Sequence, residues 1–213
     1  MEILDAEIEK YIEQHTSEEK EALKQLNRET YLNVLMPHML SGHVQGVFLS
    51  LFSKAVQPKT ILEIGTFTGY SAIALAEGLT QDGVLHTIDI NEELAEMVAA
   101  YIEKAGLKNK IKQHIGNALD IIPTLDLQFD LVFIDADKKN YFNYYTLVKD
   151  KVAKGGIILA DNVLWKGKVV ETASKTDKDT KVLMEFNKAV AEDPEVEQTI
   201  LPIRDGLMLI RKL

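Results

Sequence analysis

Cysteine is absent from this 213-residue chain, and its absence removes several kinds of chemistry at once. Disulfides, thiolate zinc sites and a cysteine nucleophile are excluded, so any bound metal must be held by oxygen or imidazole. The five histidines show no ligand spacing, and we interpret them as structural or surface residues. A chain without cysteine also suits a reducing compartment, and we expect a cytoplasmic protein.

Long hydrophobic runs are also missing. No apolar stretch approaches the roughly 18 residues that a membrane span requires. The N-terminal stretch is acidic and amphipathic, unlike the basic and then apolar layout of a signal peptide. We therefore expect a protein that is neither membrane-bound nor exported.

Positive charge is in short supply, with 24 Lys and Arg against 33 Asp and Glu and a net charge of −9. This balance disfavours a nucleic-acid partner, although an acidic total can hide a local basic face. The length and the 46% hydrophobic content favour a single domain over residues 1–213 with a full-sized core.

An alternation of strand and helix patterns follows a helical front. Residues 1–57 carry apolar side chains at helical spacing, and Thr16 with Glu19 has the spacing of a capping box. Over residues 58–213 short apolar strands alternate with helices, and the chain ends in two strands separated by the turn 202–206. The pattern predicts an α/β fold with a mostly parallel sheet and helices on both faces.

Two hydrophobic runs end in side chains that carry oxygen. Asp135 follows one run, and Asp161 with Asn162 follows the next. Parallel strands deliver such residues to the same edge of a sheet, so these three side chains should lie side by side. Two carboxylates and an amide suit a hard cation such as Mg²⁺, which predicts metal-assisted chemistry. The alternative is that Asp161 and Asn162 only stabilise a turn.

A glycine turn after the first strand indicates a nucleotide. Glu63, Gly65 and Gly69 form the pattern E-x-G-x-x-x-G, in which glycines let the backbone approach a ligand. The spacing differs from the G-x-G-x-x-G of a dinucleotide clamp, which argues against NAD. Asp89 ends the next strand, where a carboxylate can accept both ribose hydroxyls. We expect an adenosine-bearing cofactor; the alternative is an ordinary strand-to-helix turn with incidental acids.

Four stretches carry a resemblance to a known family: EIGTFTGYS, TIDIN, FDLVFIDADKKNYFNYY and GGIILADNVLWKGKVV. They are similar to the motifs of class I, cation-dependent O-methyltransferases of the caffeoyl-CoA and catechol O-methyltransferase type. The similarity extends from Met39 to the C-terminal LPIRDGLMLIRKL. It implies a Rossmann-like, seven-stranded sheet in the order 3-2-1-4-5-7-6 with an antiparallel C-terminal hairpin. It also implies S-adenosylmethionine (SAM), Mg²⁺ or another divalent cation such as Mn²⁺ or Ca²⁺, and a homodimer.

The resemblance assigns roles to individual residues of this sequence. Asp135, Asp161 and Asn162 match the metal ligands, and Asp135 is also expected to be a catalytic residue together with Lys138. Lys138 matches the catalytic base, which takes the proton of the acceptor hydroxyl, and Trp165 matches a substrate-pocket position. Cofactor-contacting positions are Met39, Ser41, Glu63, Gly65, Ser71, Asp89, Ala118, Asp135 and Asp137. The run from Ser41 to Gly46 differs from the plant-like sequence of the family. The resemblance therefore supports the cofactor roles of Met39 and Ser41 less strongly than those of the other positions.

Several residues also have a purely structural explanation. Asp137 and Lys138 fit the first turn of a helix, where an acid is favoured by the dipole and a lysine is solvated. Trp165 fits a core position. The segment 166–178 and the N-terminal helices would line the acceptor pocket, but their side chains do not identify an acceptor.

The leading hypothesis is methyl transfer from SAM to a hydroxyl of a catechol-like or phenylpropanoid small molecule. A second hypothesis keeps the chemistry and changes the acceptor to a hydroxylated uridine of tRNA. A nicotinamide-dependent oxidoreductase on the same type of sheet and a non-catalytic binding module are the alternatives from other classes.

Overall fold

The computed structural model describes residues 5–171 and 177–213, and its strands follow the predicted order. The strands are β1 (Thr60–Ile64), β2 (Val84–Asp89), β3 (Ile111–Ile115), β4 (Phe129–Ile134), β5 (Val152–Ala160), β6 (Val196–Leu201) and β7 (Leu207–Lys212). Their order across the sheet is β3-β2-β1-β4-β5-β7-β6, and the hairpin strand β7 runs antiparallel to β5 and β6. The predicted Rossmann-like α/β fold is confirmed.

Eight α-helices occur in the described ranges. They are α1 (Ala6–Gln14), α2 (Glu21–Asn33), α3 (Gly42–Val56), α4 (Tyr70–Ala76), α5 (Ala95–Lys104), α6 (Ala118–Thr124), α7 (Tyr141–Lys149) and α8 (Lys178–Ala191). Short 3-10 helices cover Pro37–Met39, Glu92–Leu94, Lys138–Asn140 and Trp165–Val170. Within 5–171 and 177–213, every helix is too short or too polar to cross a bilayer.

Contacts between Cα atoms divide the chain into two compact units. The first, Ala6–Asn117, contains α1 to α5 and β1 to β3. The second, Ala118–Leu213 with Asp5, contains α6 to α8 and β4 to β7. The single domain over 1–213 that we expect from the sequence stays a prediction.

The core of the first unit forms around β1 and α4. All residues from Ile61 to Ile64 are buried, and α4 is buried along its whole length. α3 packs closely on α4 because Gly78 has no side chain: a Cβ there would lie 2.1 Å from the backbone carbon of Ser53. A larger residue at this position would push α3 away from the core.

The capping box expected at Thr16 and Glu19 is wrong. The Thr16 hydroxyl donates instead to the Ile12 carbonyl at 2.7 Å, a bond back to the preceding turn that competes with capping. α2 begins at Glu21 after Lys20, which makes no side-chain cap. The Glu19 carboxylate accepts a hydrogen bond from the Tyr70 hydroxyl, so it serves tertiary packing.

The second unit is built on the paired strands β4 and β5. In β4, Phe129 and every residue from Leu131 to Ile134 are fully buried, as expected for a parallel strand covered on both faces. The ring of Phe186 from α8 meets Tyr141 and Tyr145 of α7 edge-on, at centroid distances of 5.6 and 5.9 Å. These aromatic contacts fix α7 beside the ends of the strands.

Two histidines form a pair on β2 and β3. Nδ1 of His86 lies 2.9 Å from Nε2 of His114, and their rings are nearly parallel. Burial, and then the charges of His114 and Lys112, lower the pKa of His86 to about 4. The pKa of His114 is also lowered, by burial and by Lys112. Both imidazoles are therefore neutral at pH 7.

We expect the free energy of unfolding to decrease as the pH falls from 6.5 to about 4, because the unfolded chain binds a proton that buried His86 does not. Above pH 6.5 this contribution is fully present, because His86 is neutral in both states. Calorimetry at about pH 7.5 and about pH 5 should show a smaller loss of Tm in His86→Gln than in the wild type. His15→Gln, at an exposed histidine, is the matched control and should keep the wild-type loss. The same loss in all three proteins would contradict the prediction.

Candidate active site

The first unit places the glycine turn and Asp89 at the C-terminal ends of β1 and β2. Gly65 has a φ of 103° and donates its N–H to the Ile88 carbonyl at 2.9 Å. The carboxylate of Asp89 accepts from the N–H of Phe67 at 2.7 Å and from the N–H of Asn91 at 2.9 Å. Asp89 thus shapes the turn, and each of its oxygens has a second lone pair for a ligand.

Glu63 and Ser71 flank this turn. Glu63 is fully buried, and its Oε2 accepts from the Thr87 hydroxyl at 2.5 Å, while Thr87 also contacts the Thr66 hydroxyl. A buried carboxylate is costly unless it is hydrogen-bonded, which explains the threonine beside it. Ser71 lies in the first turn of α4, two residues after Gly69, which has a φ of 89°.

The other cofactor positions expected from the sequence lie on separate elements. Met39 ends the short helix Pro37–Met39 with about half of its surface exposed, and Ser41 is buried just before α3. Ala118, in the second unit, is the first residue of α6. The roles of these residues stay predictions.

In the second unit, the pairing of β4 with β5 sets the positions of the proposed metal ligands. Ile134 lies opposite Ala160, so the next residues, Asp135 and Asp161, leave the strands side by side. The Asp161 N–H donates to the Ile134 carbonyl at 2.9 Å, and Asp161 Oδ1 accepts from the Asn162 N–H at 2.8 Å. Asn162 has a φ of 59°, a left-handed conformation that asparagine tolerates. The structure thus brings the three residues to one edge of the sheet.

Lys138 reaches the same edge from the short helix that follows β4. Its Nζ lies 3.3 Å from Asp135 Oδ1 and 2.5 Å from the Tyr141 hydroxyl oxygen. The lysine side chain is only 10% exposed. A solvated lysine in a first helical turn, the structural alternative from the sequence, does not describe it.

Tyr141 is fully buried beneath this lysine. Burial, and then the charges of Asp135 and Asp161, raise the pKa of Tyr141 well above its ordinary value, so the hydroxyl keeps its proton. The hydroxyl donates to the Asp161 carbonyl at 2.8 Å. Sequence reasoning missed Tyr141, although its spacing of three from Lys138 places both on one helical face.

The structure supports a structural role for Asp137 at the start of a helix, but it does not support a core position for Trp165. The Asp137 carboxylate accepts from the Tyr144 hydroxyl and, at 2.7 Å, from the Asn140 amide, which suits a residue that stabilises the start of α7. Trp165 is partly exposed with a φ of 48°, so it is not a core residue. Of the segment 166–178 expected to line an acceptor pocket, residues 172–176 lie outside the described residues.

The turn between β6 and β7 forms hydrogen bonds with the loop that follows Asn162. The sequence did not predict this contact. The N–H groups of Val163 and Leu164 donate to the carbonyls of Gly206 and Asp205 at 3.0 and 2.9 Å. The Asn187 amide of α8 donates to the Val163 carbonyl at 2.9 Å. The Asp-Gly pair was recognisable only as a hairpin turn, because its partner loop lies about forty residues earlier in the chain.

The donor set at this edge suits a hard divalent cation. It offers two carboxylates and one amide, oxygen ligands of the kind that Mg²⁺ and Ca²⁺ prefer, and Asp161 is only 1% exposed. No group of three or more His, Asp or Glu side chains in the described part of the chain could hold a metal. The candidate set has only two such residues, and Asn162 would be its third ligand.

Comparison with known proteins decides the family. The model of the O-methyltransferase family matches residues 13–213. The chain belongs to this family. The enzyme class predicted from the sequence, a SAM-dependent O-methyltransferase, is confirmed, and the nicotinamide oxidoreductase and the binding module are set aside.

Plant enzymes are among the similar proteins. Caffeoyl-CoA O-methyltransferase of Petroselinum crispum is 39% identical over 92% of this chain and 85% of its own length. Caffeoyl-CoA O-methyltransferase 2 of Petunia hybrida is 39% identical over 82% of this chain and 77% of its own length.

Bacterial O-methyltransferases are among the similar solved structures. TomG from Streptomyces achromogenes, involved in tomaymycin synthesis and solved in complex with SAM, is 32% identical, with a TM-score of 0.89 over 97% of this chain and 96% of its own. The O-methyltransferase from Bacillus cereus, in complex with SAH, is 29% identical, with a TM-score of 0.90 over 97% of both chains.

We expect Gly206→Ala to destabilise this O-methyltransferase more than Gly106→Ala does. Both glycines have left-handed φ values, +87° and +73°, but a Cβ at Gly206 would lie 2.4 Å from Leu164 Cγ, whereas one at Gly106 would meet nothing within 4 Å. Backbone strain alone should cost about 1–2 kcal/mol, and the overlap with Leu164 should add about 1–3 kcal/mol. Urea unfolding measures both losses. Equal losses would show that the turn does not pack against Leu164 as described.

Proposed function

We propose that this O-methyltransferase requires a divalent cation and transfers the methyl group of SAM to one hydroxyl of a catechol-like or phenylpropanoid small molecule. The observation that carries the proposal is the meeting of Asp135, Lys138 and Asp161 at the C-terminal ends of β4 and β5. Similarity to caffeoyl-CoA O-methyltransferases over most of the chain supports the choice of acceptor class.

The turn of the first unit would bind the adenosine part of SAM. Asp89 would accept the ribose hydroxyls with the lone pairs that its two backbone contacts leave available. Gly65 has no side chain, so the backbone of the turn could approach the ligand closely. The other proposed contacts of this unit are Met39, Ser41, Glu63 and Ser71; those of the second unit are Ala118, Asp135 and Asp137.

The acceptor would be held by the second unit. Asp135, Asp161 and Asn162 would bind the cation, for which Mg²⁺, Mn²⁺ and Ca²⁺ are all compatible with oxygen ligands. When bound, the cation would chelate two adjacent acceptor oxygens and lower the pKa of their hydroxyl groups. Trp165, partly exposed after β5, would supply an apolar wall for the aromatic ring.

Lys138 would act as the base. As a neutral amine, its Nζ would take the proton of the hydroxyl that reacts and become an ammonium group, and that oxygen would then form a bond to the methyl carbon of SAM. The bond between that carbon and sulfur would break in the same step, and its electron pair would stay on sulfur as the neutral thioether of SAH. We also keep the homodimer and the cytoplasmic location as part of the proposal.

The proposed cation site and the proposed cofactor site predict different effects of mutation on turnover and on SAM affinity. Asp161→Ala combined with Asn162→Ala should abolish turnover and leave SAM affinity within about threefold, because these side chains would bind the cation and would not contact SAM. Asp89→Ala should weaken SAM binding by about 1.5–3 kcal/mol, the loss of a charge-assisted hydrogen bond. Calorimetry with SAM and a methyl-transfer assay with Mg²⁺ measure both effects.

Chelation by EDTA supplies the control for the first variant. Activity of the wild type should disappear in excess EDTA and return when Mg²⁺ or Mn²⁺ is added. Full activity in EDTA, or undiminished turnover of the double variant, would overturn the cation requirement. Unchanged SAM affinity of Asp89→Ala would move the cofactor site away from this turn.

Acceptor geometry is the second test. A cation that binds two adjacent oxygens should favour vicinal hydroxyls, so 3,4-dihydroxycinnamic acid should be methylated and 4-hydroxycinnamic acid should react at least about 100-fold more slowly. The same comparison with the CoA thioesters shows whether the thioester contributes to recognition. Equal rates for the two ring patterns, or transfer to hypomodified tRNA alone, would contradict the small-molecule proposal.

A further inference from the structure

The hydrogen bonds of Tyr141 have a polarity that its partners fix. Its hydroxyl has one proton, and the Asp161 carbonyl at 2.8 Å and the Ile134 carbonyl at 3.4 Å can only accept it. The proton therefore points to the strand ends. The hydroxyl oxygen is left as an acceptor for an N–H of Lys138 Nζ at 2.5 Å, which lysine can donate both as an amine and as an ammonium group.

The tyrosine itself is held rigidly. It is fully buried, and its ring meets the Phe186 ring edge-on at 84° with a centroid distance of 5.6 Å. Lys138 Nζ lies 4.5 Å from the centroid of the same ring, within range of a cation–π contact. The packing of the second unit therefore fixes the position of the Tyr141 ring that the lysine nitrogen contacts.

Asp135 is a second polar contact of the lysine nitrogen. The distance from Nζ to Asp135 Oδ1 is 3.3 Å, longer than the contact with the tyrosine oxygen. A lysine on four flexible methylenes would otherwise sample many positions. The hydroxyl of Tyr141 thus restricts Lys138 to the edge of the sheet where Asp135 and Asp161 end their strands.

We propose that Tyr141 is a positioning residue, which holds Lys138 Nζ at the reacting hydroxyl through its own hydroxyl oxygen. This inference rests on the proposed role of Lys138 as the base. Tyr141 does not touch the acceptor in this proposal, so its loss should lower kcat and leave substrate binding intact, since misplacement of a reacting group costs rate.

Tyr141→Phe tests the inference, because it removes only the hydroxyl and keeps the ring against Phe186. Tyr145→Phe is the matched control: it lies on the same helix, 5.9 Å from the same Phe186 ring, and its hydroxyl donates to Asp193 at 2.8 Å. With caffeoyl-CoA as acceptor, kcat of Tyr141→Phe should fall at least about tenfold. KM for both substrates and the affinity for Mn²⁺, measured by electron paramagnetic resonance, should stay within about twofold. Tyr145→Phe should keep the wild-type kcat.

A second measurement needs no turnover. In the substrate-free protein, an amine-directed acetylating reagent and peptide mass spectrometry give the rate at which Lys138 is labelled. That rate should rise at least about threefold in Tyr141→Phe, because the nitrogen loses the contact that holds it in a site only 10% exposed. Lys149, which contacts Asp193 and Glu195, is the internal reference and should be labelled at the wild-type rate.

The results separate this inference from the proposed function. Wild-type kcat or an unchanged labelling rate of Lys138 in Tyr141→Phe would overturn it. A loss of kcat matched by an equal loss of Mn²⁺ affinity would overturn it too, because the hydroxyl would then act through Asp161. Lys138→Ala with wild-type kcat would instead overturn the role of Lys138 as the base, and the labelling rate would still show whether Tyr141 holds this lysine.

Discussion

The parallel register of β4 and β5 is the constraint on which the candidate site depends. Ile134 lies opposite Ala160, and the bond from the Asp161 N–H to the Ile134 carbonyl extends the pairing one residue beyond β5. A slip by one residue would turn every side chain of the strand to the opposite face. Asp135 and Asp161 could not then converge, so the buried apolar residues of both strands, which fix the register, also fix the chemistry.

The deep burial of Asp161 explains why polar contacts cluster around it at this edge. Asp161 is 1% exposed, and a carboxylate removed from water is unfavourable unless hydrogen bonds or a cation compensate for the lost hydration. Asp161 bonds through its N–H, its carbonyl and its Oδ1. Lys138 supplies a positive charge nearby through Asp135. The same electrostatic demand makes the edge suitable for a divalent cation.

The sequence was sufficient for what local patterns control. The alternation of strands and helices over residues 58–213 follows from the periodicity of the apolar residues, and the acids after β4 and β5 could be placed together because parallel strands share an edge. The resemblance to methyltransferases supplied the strand order and the site roles.

What the sequence did not predict depends either on competition between local hydrogen-bond partners or on residues that are distant in the chain. The hydroxyl of Thr16 had two available partners, and the local carbonyl of Ile12 prevailed over the cap position. His86 and His114 meet only because β2 and β3 are neighbours. The contact of Gly206 with the loop at Val163 likewise requires the hairpin to fold back against β5.

The contacts of the Asp89 carboxylate with two backbone N–H groups have a consequence for the thermodynamics of ligand binding. The N–H groups of Phe67 and Asn91 hold the carboxylate in place before any ligand arrives. A ribose that binds there, as we propose, would meet an acceptor whose rotamer is already selected, so the Asp89 side chain would lose little conformational entropy. Pre-organisation of this kind would remove one entropic cost of binding, so more of the favourable enthalpy of the new hydrogen bonds would appear in the affinity. The Asp89 side chain would also not need to reorient during the encounter, which would favour fast association.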